Sequence, residues 1–416
     1  MVIPKGKVNM VTQSTGVKRR YDLDWLRVLA IFTVFVYHCT LIFAPDPYQI
    51  KNATLYPYLD DLGALVGLWG MPLIFIISGA SVFYALGKYA PGKYIKSISA
   101  RLLVPLIAGI FTHAAYQVYL ENLQKGIFSG SFLEFYPHYF SGMYGFGGNF
   151  AWMGMHLWYL EALFLFSLLC LPMYLWLKKE PRGQQMLQRL GNFLGIPTTI
   201  YMLALPTTIL TNLLNPDGLG TTVLGGWSIL NYLVFFISGF VIISNGRMQL
   251  TISRLRWVSL AIAIVSWGFI DVVWTALGDP TFGTWQYLLG TALWCLCTWC
   301  WLLTVLGLGF HHLNHNKPFL RYANEAVLPF YILHQPVIIS LAFFVVWWPI
   351  KDLFKFLIIV IVSFGMVMGM YEFLVRRYNP LRFLFGMKLR VRPDYDFVNE
   401  LQSQQLSTIG HNESNT

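Results

Sequence analysis

The chain has 416 residues, of which 56% are hydrophobic, 17% aromatic and 12% charged. Soluble chains carry about 25% charged residues, so this composition excludes an ordinary soluble domain and points to a bilayer. The formal charge of +10 does not indicate nucleic acid, because the basic residues punctuate apolar segments instead of gathering on a polar module.

Ten apolar stretches have the length of a membrane-spanning helix. They lie near 25–44, 62–86, 100–120, 156–177, 197–214, 227–245, 257–277, 285–308, 327–349 and 354–376. The first is too long for the apolar core of a secretory signal and reads as a retained span. Pro197 and Pro206 interrupt the fifth. The expected fold class is all-α: a polytopic membrane protein of about ten transmembrane helices.

Ten spans put both termini on one side, and the basic residues say which. Lys5, Lys7, Lys18 to Arg20, Lys88, Lys93, Lys96, Arg101, Lys178, Lys179, Arg182 and Arg189 fall on the N-terminal side. So do Arg247, Arg254, Arg256, Lys317, Arg321 and the run from Arg376 to Arg392. Only Lys51, Lys125, Lys351 and Lys355 fall opposite. The positive-inside rule then makes both termini cytoplasmic, and the expected location is the cell inner membrane. The expected organisation is a basic cytoplasmic segment 1–24, a membrane domain 25–376 and a cytoplasmic tail 377–416. That tail ends in the polar "NELQSQQLSTIGHNESNT", which has too few apolar residues to fold alone.

The longest outer loop, about 121–155, is rich in aromatics and glycine. It reads as an interfacial aromatic belt, or as a lid whose rings would suit a sugar. All five cysteines lie in apolar runs; Cys297 and Cys300 form a C-x-x-C with no second pair and no partner histidine, so no metal site is expected.

Ionisable residues at membrane depth are the functional candidates. In "RVLAIFTVFVYH", Arg27 and His38 are eleven residues apart, ~16 Å along a helix. Eleven steps of ~100° return both side chains to one face. A second histidine, His334 in "NEAVLPFYILHQPV", lies ten residues beyond Asn324 and reaches a similar depth. Pro336 beside it leaves the Ile332 carbonyl without its helical donor. Asp24 can pair with Arg27 three residues on. Glu161, in "HLWYLEALF" beside Trp158 and His156, is a candidate gate or acceptor-site carboxylate. Ser78-Gly79 and Ser238-Gly239 are small pairs suited to close helix packing. His113 and Asp271 are further membrane-depth residues, with packing roles favoured.

These pieces resemble the acyltransferase 3 family of integral membrane acyltransferases. "LDWLRVLAIFTVFVYH" is similar to that family's opening helix, marked by an arginine and a histidine separated by ten residues. "PLIFIISGASVF", "RLLVPL", "HLWYLEALFLFSLL", "FFISGFVI" and "YILHQPVI" follow in the family's order. "YEFLVRRYNPLRFLFGMK" resembles the end of its glucan biosynthesis branch. Relatives that modify surface polysaccharides carry W-x-L-x-x-E; here that position is Leu163 and the acid is Glu161.

The resemblance implies transfer of an acetyl or succinyl group from a cytoplasmic acyl-CoA-type donor to a hydroxyl of an extracytoplasmic glycan. The donor is a co-substrate and no bound cofactor is expected. Such transfer needs a base and something to hold the developing oxyanion. Histidine, with an ordinary pKa near ~6.5, suits the base. His38 is expected to be the base or a transient acyl carrier. His334 would orient it or stabilise the oxyanion, with Glu161 the third catalytic candidate. Arg27, Arg101, Lys93 and Lys96 are the expected donor-binding cations. Asp24, Ser78, Trp158 and Tyr331 are expected to orient the site. The alternative is an exporter of a glycan or lipid-linked oligosaccharide, although no inverted repeat of the transporter kind is evident.

Overall fold

The computed structural model describes residues 19–221, 225–278 and 280–390. The expectations placed on 1–18 and on 391–416, including the polar tail, fall outside the described residues. All regular structure among them is helical apart from one isolated bridge, Met143 to Phe150.

The helices run in order as α1 Tyr21–Thr40, α2 Tyr58–Lys88, α3 Pro91–Gln124, α4 Met155–Leu169 and α5 Leu171–Lys179. Next come α6 Pro181–Leu194, α7 Thr199–Leu213, α8 Ile229–Ser244 and α9 Gly246–Leu277. The last are α10 Trp285–His312, α11 Pro318–Val345, α12 Asp352–Val375 and α13 Asn379–Leu384. Each of the ten apolar stretches is helical. Seven of the helices are long and apolar enough to cross a membrane, or eight if α4 and α5, bent by 49°, form one span. The two shorter ones are α7 and α8.

α12 shows why this surface belongs in lipid. Leu353, Phe354, Leu357, Ile361, Val362 and Phe364 are all exposed along it, an apolar area that water would not tolerate. Inward, α2 and α8 pack backbone to backbone. A Cβ on Gly79 would sit 1.8 Å from the Phe236 carbonyl oxygen, and one on Gly239 would sit 1.9 Å from that of Ile76. The two small pairs expected to allow close packing therefore meet each other. α9 and α10 form a long antiparallel hairpin, with Cys297 Sγ 3.4 Å from the Ala263 carbonyl and Trp274 stacked on Trp294.

α1 and α11 lie side by side and parallel. Trp25 meets Phe319, Arg27 bonds Asn324, Phe35 meets Phe330 and His38 bonds His334. α3 winds through two π-helical turns, Ser99–Leu103 and Ile110–Ala114, the first carrying Arg101 and the second His113. π turns cost hydrogen-bond geometry and recur at functional sites. The His113 ring packs on Phe385. The backbone of Asp271 lies in α9; its side chain is outside the description.

The outer loop after α3 builds a small core of its own from Phe135, Tyr139 and Ala151 against Ala114, Ala115 and Val118. Burial and the neighbouring Glu121, to which it donates a 2.8 Å bond, hold the Tyr144 phenol above its ordinary pKa.

Candidate active site

Three histidines meet between α1, α4 and α11. His38 Nδ1 lies 2.8 Å from His334 Nε2, and the rings stack with centroids 5.0 Å apart. His334 Nδ1 lies 2.5 Å from the Tyr331 carbonyl. That carbonyl can only accept, so in the neutral ring Nδ1 carries the hydrogen and Nε2 carries the lone pair. His334 Nε2 therefore accepts from His38 Nδ1–H. The lone pair of His38 Nε2 is left open, with no hydrogen bond to it among the described residues.

His156 is the third. Its Nε2 donates to the Ile332 carbonyl at 3.1 Å, the oxygen that Pro336 leaves without a helical donor. Tyr331 returns a hydrogen bond from its hydroxyl to the His156 carbonyl. The His156 ring meets His334 edge to face with centroids 5.2 Å apart. The turn that presents it is strained: Gly154 has φ 72°, and Met155, at φ 58°, has the one positive φ outside glycine among the described residues. The sequence reading named His156 only as a neighbour of Glu161. The signal that could have found it was Pro336, which demands a donor for Ile332 from some other element.

About three turns back along α1, Arg27 is held from three sides. Its Nη1 donates to Asn324 Oδ1 at 3.2 Å and pairs with Asp24 at 3.5 Å, while Nη2 donates to Ser81 Oγ at 2.8 Å. Asn324 in turn donates to Asp24 at 3.2 Å. Asp24 thus contacts both Arg27 and Asn324.

Asn324 also forms a wall of a cavity of about 600 Å³ at this end of the helices. Arg101, Arg321, Arg382 and Lys388 line it, with Glu325 as its acid. Arg382 is engaged, bonding Glu325 at 3.1 Å and the carbonyls of Lys388 and Arg376. Arg101, Arg321 and Lys388 have no hydrogen-bond or ion-pair partner among the described residues. The segment after α13 closes the cavity: Gly386, at φ 65°, packs so tightly that a Cβ would meet the Arg101 carbonyl oxygen at 2.4 Å.

Other expected residues fall as follows. Lys93 and Lys96 are exposed and line no part of the cavity. Arg321 and Lys388 do, although the sequence counted them only toward orientation. Ser78 donates to the Ile74 carbonyl and accepts from the Tyr159 hydroxyl at 2.6 Å. Trp158 packs on Phe75 and Tyr232, away from the histidines. Glu161 is not joined to the histidines by any hydrogen bond or ion pair; its buried Oε2 has no partner among the described residues. His334 cannot be an oxyanion donor in this arrangement, because its one N–H is committed to Tyr331. Its other ring nitrogen faces His38 Nδ1.

The sequence profile of the acyltransferase domain, family 3, matches residues 20–372. The chain belongs to the acyltransferase 3 family. Its membership makes it a multi-pass membrane enzyme that transfers acyl groups; the three histidines and Arg27 lie within the matched region, while Arg382 and Lys388 of the cavity lie beyond it. Glucans biosynthesis protein C of Salmonella paratyphi B is 20% identical over 397 residues, covering 92% of this chain and 98% of that protein. The proteins of the same name from Salmonella dublin and Salmonella enteritidis match to the same extent. No solved structure matches.

Proposed function

We propose that this acyltransferase moves an acetyl or succinyl group from a cytoplasmic acyl-CoA-type donor to a hydroxyl of an extracytoplasmic glycan, such as a periplasmic glucan. In this reading the chain crosses the cell inner membrane ten times, with α7 and α8 as short spans and both termini cytoplasmic. The distribution of lysine and arginine supports that orientation.

The observation that carries the mechanism is the hydrogen-bond chain from the Tyr331 carbonyl through His334 to His38. It leaves the lone pair of neutral His38 on Nε2, which supports reading that nitrogen as the base, oriented as a carboxylate orients the histidine of a hydrolase triad. The acceptor hydroxyl gives its proton to His38 Nε2 as its oxygen attacks the thioester carbon. The tetrahedral intermediate collapses, the C–S bond breaks, and the thiol leaves with the proton returned from His38.

The cationic cavity supports the donor assignment. Arg101, Arg321 and Lys388 offer unpaired charge to phosphates, and Arg27 stands between cavity and base. His38 lies ~16 Å further along α1. A long flexible thioester arm suits that separation: its phosphates stay at the cytoplasmic end while its acyl carbon reaches the histidines.

The test is acyl transfer by the full-length protein in liposomes, with acetyl-CoA or succinyl-CoA outside and a glucan within. An acyltransferase raises the mass of the glucan by one acyl group and leaves it inside. Movement of unmodified glucan across the bilayer would instead favour an exporter. Full transfer by a well-folded His38→Ala protein would end the proposed mechanism.

A further inference from the structure

The histidine chain leaves the site with a base and without an oxyanion donor. His334 spends its N–H on Tyr331, and His38 spends its own on His334. Acyl transfer through a tetrahedral intermediate needs a donor aimed at the new negative charge, commonly the largest single contribution to the rate.

The rings that touch the pair supply four candidates. The His156 N–H is committed to the Ile332 carbonyl, and the Tyr331 hydroxyl to the His156 carbonyl. The Tyr37 ring leans on Gly63 of α2, where an added Cβ would lie 3.0 Å from Cε2 and 3.8 Å from the hydroxyl. Its hydroxyl end therefore points to a neighbouring helix. Tyr48 remains. Its ring lies nearly parallel to His38, with centroids 6.1 Å apart and planes 17° apart. Its hydroxyl is buried and has no hydrogen-bond partner among the described residues. A buried O–H without a partner is costly to keep, and such groups call for a reason.

The loop that carries Tyr48 is fixed in advance. Lys51 Nζ donates to the carbonyls of Leu41 at 2.7 Å and Ala44 at 2.6 Å, and also to that of Asp46. Leu41 caps the C-terminus of α1, where a cation is favoured, and Ala44 and Asp46 belong to the turn that follows. The backbone of Lys51 is clasped by the Gln124 side chain, donating at 3.2 Å and accepting at 3.0 Å. The Asn52 amide bonds the Ile42 carbonyl at 2.9 Å, and Ile50 is fully buried. Burial lowers the Lys51 pKa from its ordinary value, while Asp46 and Asp60 pull it back up. A donor on so well anchored a loop needs little reorganisation when charge develops.

We infer that Tyr48 is a catalytic residue, donating its hydroxyl hydrogen to the oxyanion formed when the acceptor oxygen attacks the thioester carbonyl. The step balances without a further reactant. The carbonyl π pair moves to oxygen, where Tyr48 solvates it, and returns as the C–S bond breaks. Tyr48 keeps its proton throughout, and His38 Nε2 carries the one taken from the acceptor. The inference rests on the reading of His38 as base.

The experiment uses full-length protein in lipid nanodiscs, a glucan oligosaccharide as acceptor, and whichever of acetyl-CoA and succinyl-CoA the wild type turns over. Tyr48→Phe should lower kcat by about 10²- to 10³-fold, with the donor KM unchanged. Tyr37→Phe should stay within a few-fold of wild type. Fluorotyrosines placed at position 48 keep the ring and change only hydroxyl acidity, so kcat should change in step with that acidity even if Tyr48→Phe folds poorly. Wild-type kcat in Tyr48→Phe, a loss confined to KM, or a flat fluorotyrosine series would overturn the inference while His38→Ala stayed inactive. Full activity of His38→Ala would bring down the base assignment itself, and this one with it.

Discussion

His156 Nε2 donates to the Ile332 carbonyl at 3.1 Å, so an imidazole from α4 replaces the backbone amide that Pro336 removed from α11. Two departures from local rule, a helix-interior proline and a strained turn, thus satisfy one another. His156→Phe should strand a buried carbonyl and cost about 1–3 kcal/mol. Pro336→Ala restores an amide at the helical position for that same oxygen. The double variant should therefore regain part of the stability lost by His156→Phe. Thermal unfolding of the four proteins in one detergent gives the coupling. Strictly additive changes would mean the two residues act apart.

The His38 and His334 rings should fail differently. His38→Ala removes the base, and kcat should fall by about 10² to 10⁴. His334 acts through His38, so its replacement should depend on what can accept from His38 Nδ1–H. Gln offers an amide oxygen and Leu offers nothing. The expected order of kcat is wild type, then His334→Gln, then His334→Leu, with His38→Ala lowest. An ¹⁵N spectrum of labelled protein should show neutral His38 protonated at Nδ1. A His334→Leu enzyme as fast as His334→Gln would sever the link between tautomer and rate.

Helix and site were legible in the sequence to different depths. A run of 20 apolar residues has few alternatives to a helix in lipid, because every backbone group must be satisfied within the segment. The runs that form α1, α2, α3, α9, α10, α11 and α12 are long enough to be helical for that reason. Arg27 and His38 share a face by helical geometry alone, and Pro336 pointed to an unsatisfied carbonyl. Partners from distant elements were not legible. Nothing in "HLWYLE" says that its histidine, and not its glutamate, turns toward Ile332; the positive φ at Gly154 and Met155 decides it. Arg321 and Lys388 carry the same charge as Lys93 and Lys96 and differ only in where the chain after α12 folds back. Tyr48 lies in a loop whose course depends on Lys51 and Gln124, 73 residues apart.

The cavity cations make a separable prediction. Arg101→Ala, Arg321→Ala and Lys388→Ala should each weaken coenzyme A binding. A charge-assisted hydrogen bond is worth about 1.5–3 kcal/mol, roughly a factor of 10 to 100 in Kd. The loss should shrink at high salt, where wild-type binding itself is screened. Lys93→Ala and Lys96→Ala should bind normally, since neither side chain lines the cavity. Calorimetric titration of the detergent-solubilised protein with coenzyme A separates the two sets. Equal effects in both would mean that general surface charge, and not this cavity, holds the donor.

The contact between α2 and α8 sets the frame on which the other groups are placed. Ser81 of α2 accepts from Arg27, and Ser78 accepts from Tyr159. Gly79 lies between them, with no room for a Cβ against the Phe236 carbonyl. Gly79→Ala or Gly239→Ala must push the helices apart, a strain of about 1–3 kcal/mol or more. Gly365 and Gly369, on α12, are helical glycines whose added Cβ would meet no other atom within 4 Å. Their replacement by alanine should be silent or slightly stabilising, by up to about 1 kcal/mol. Size-exclusion profiles and melting temperatures of the four variants test this directly. If Gly79→Ala melts with wild type, the two backbones do not approach as closely as the structure places them. Arg27 and Tyr159 would then need other anchors than α2.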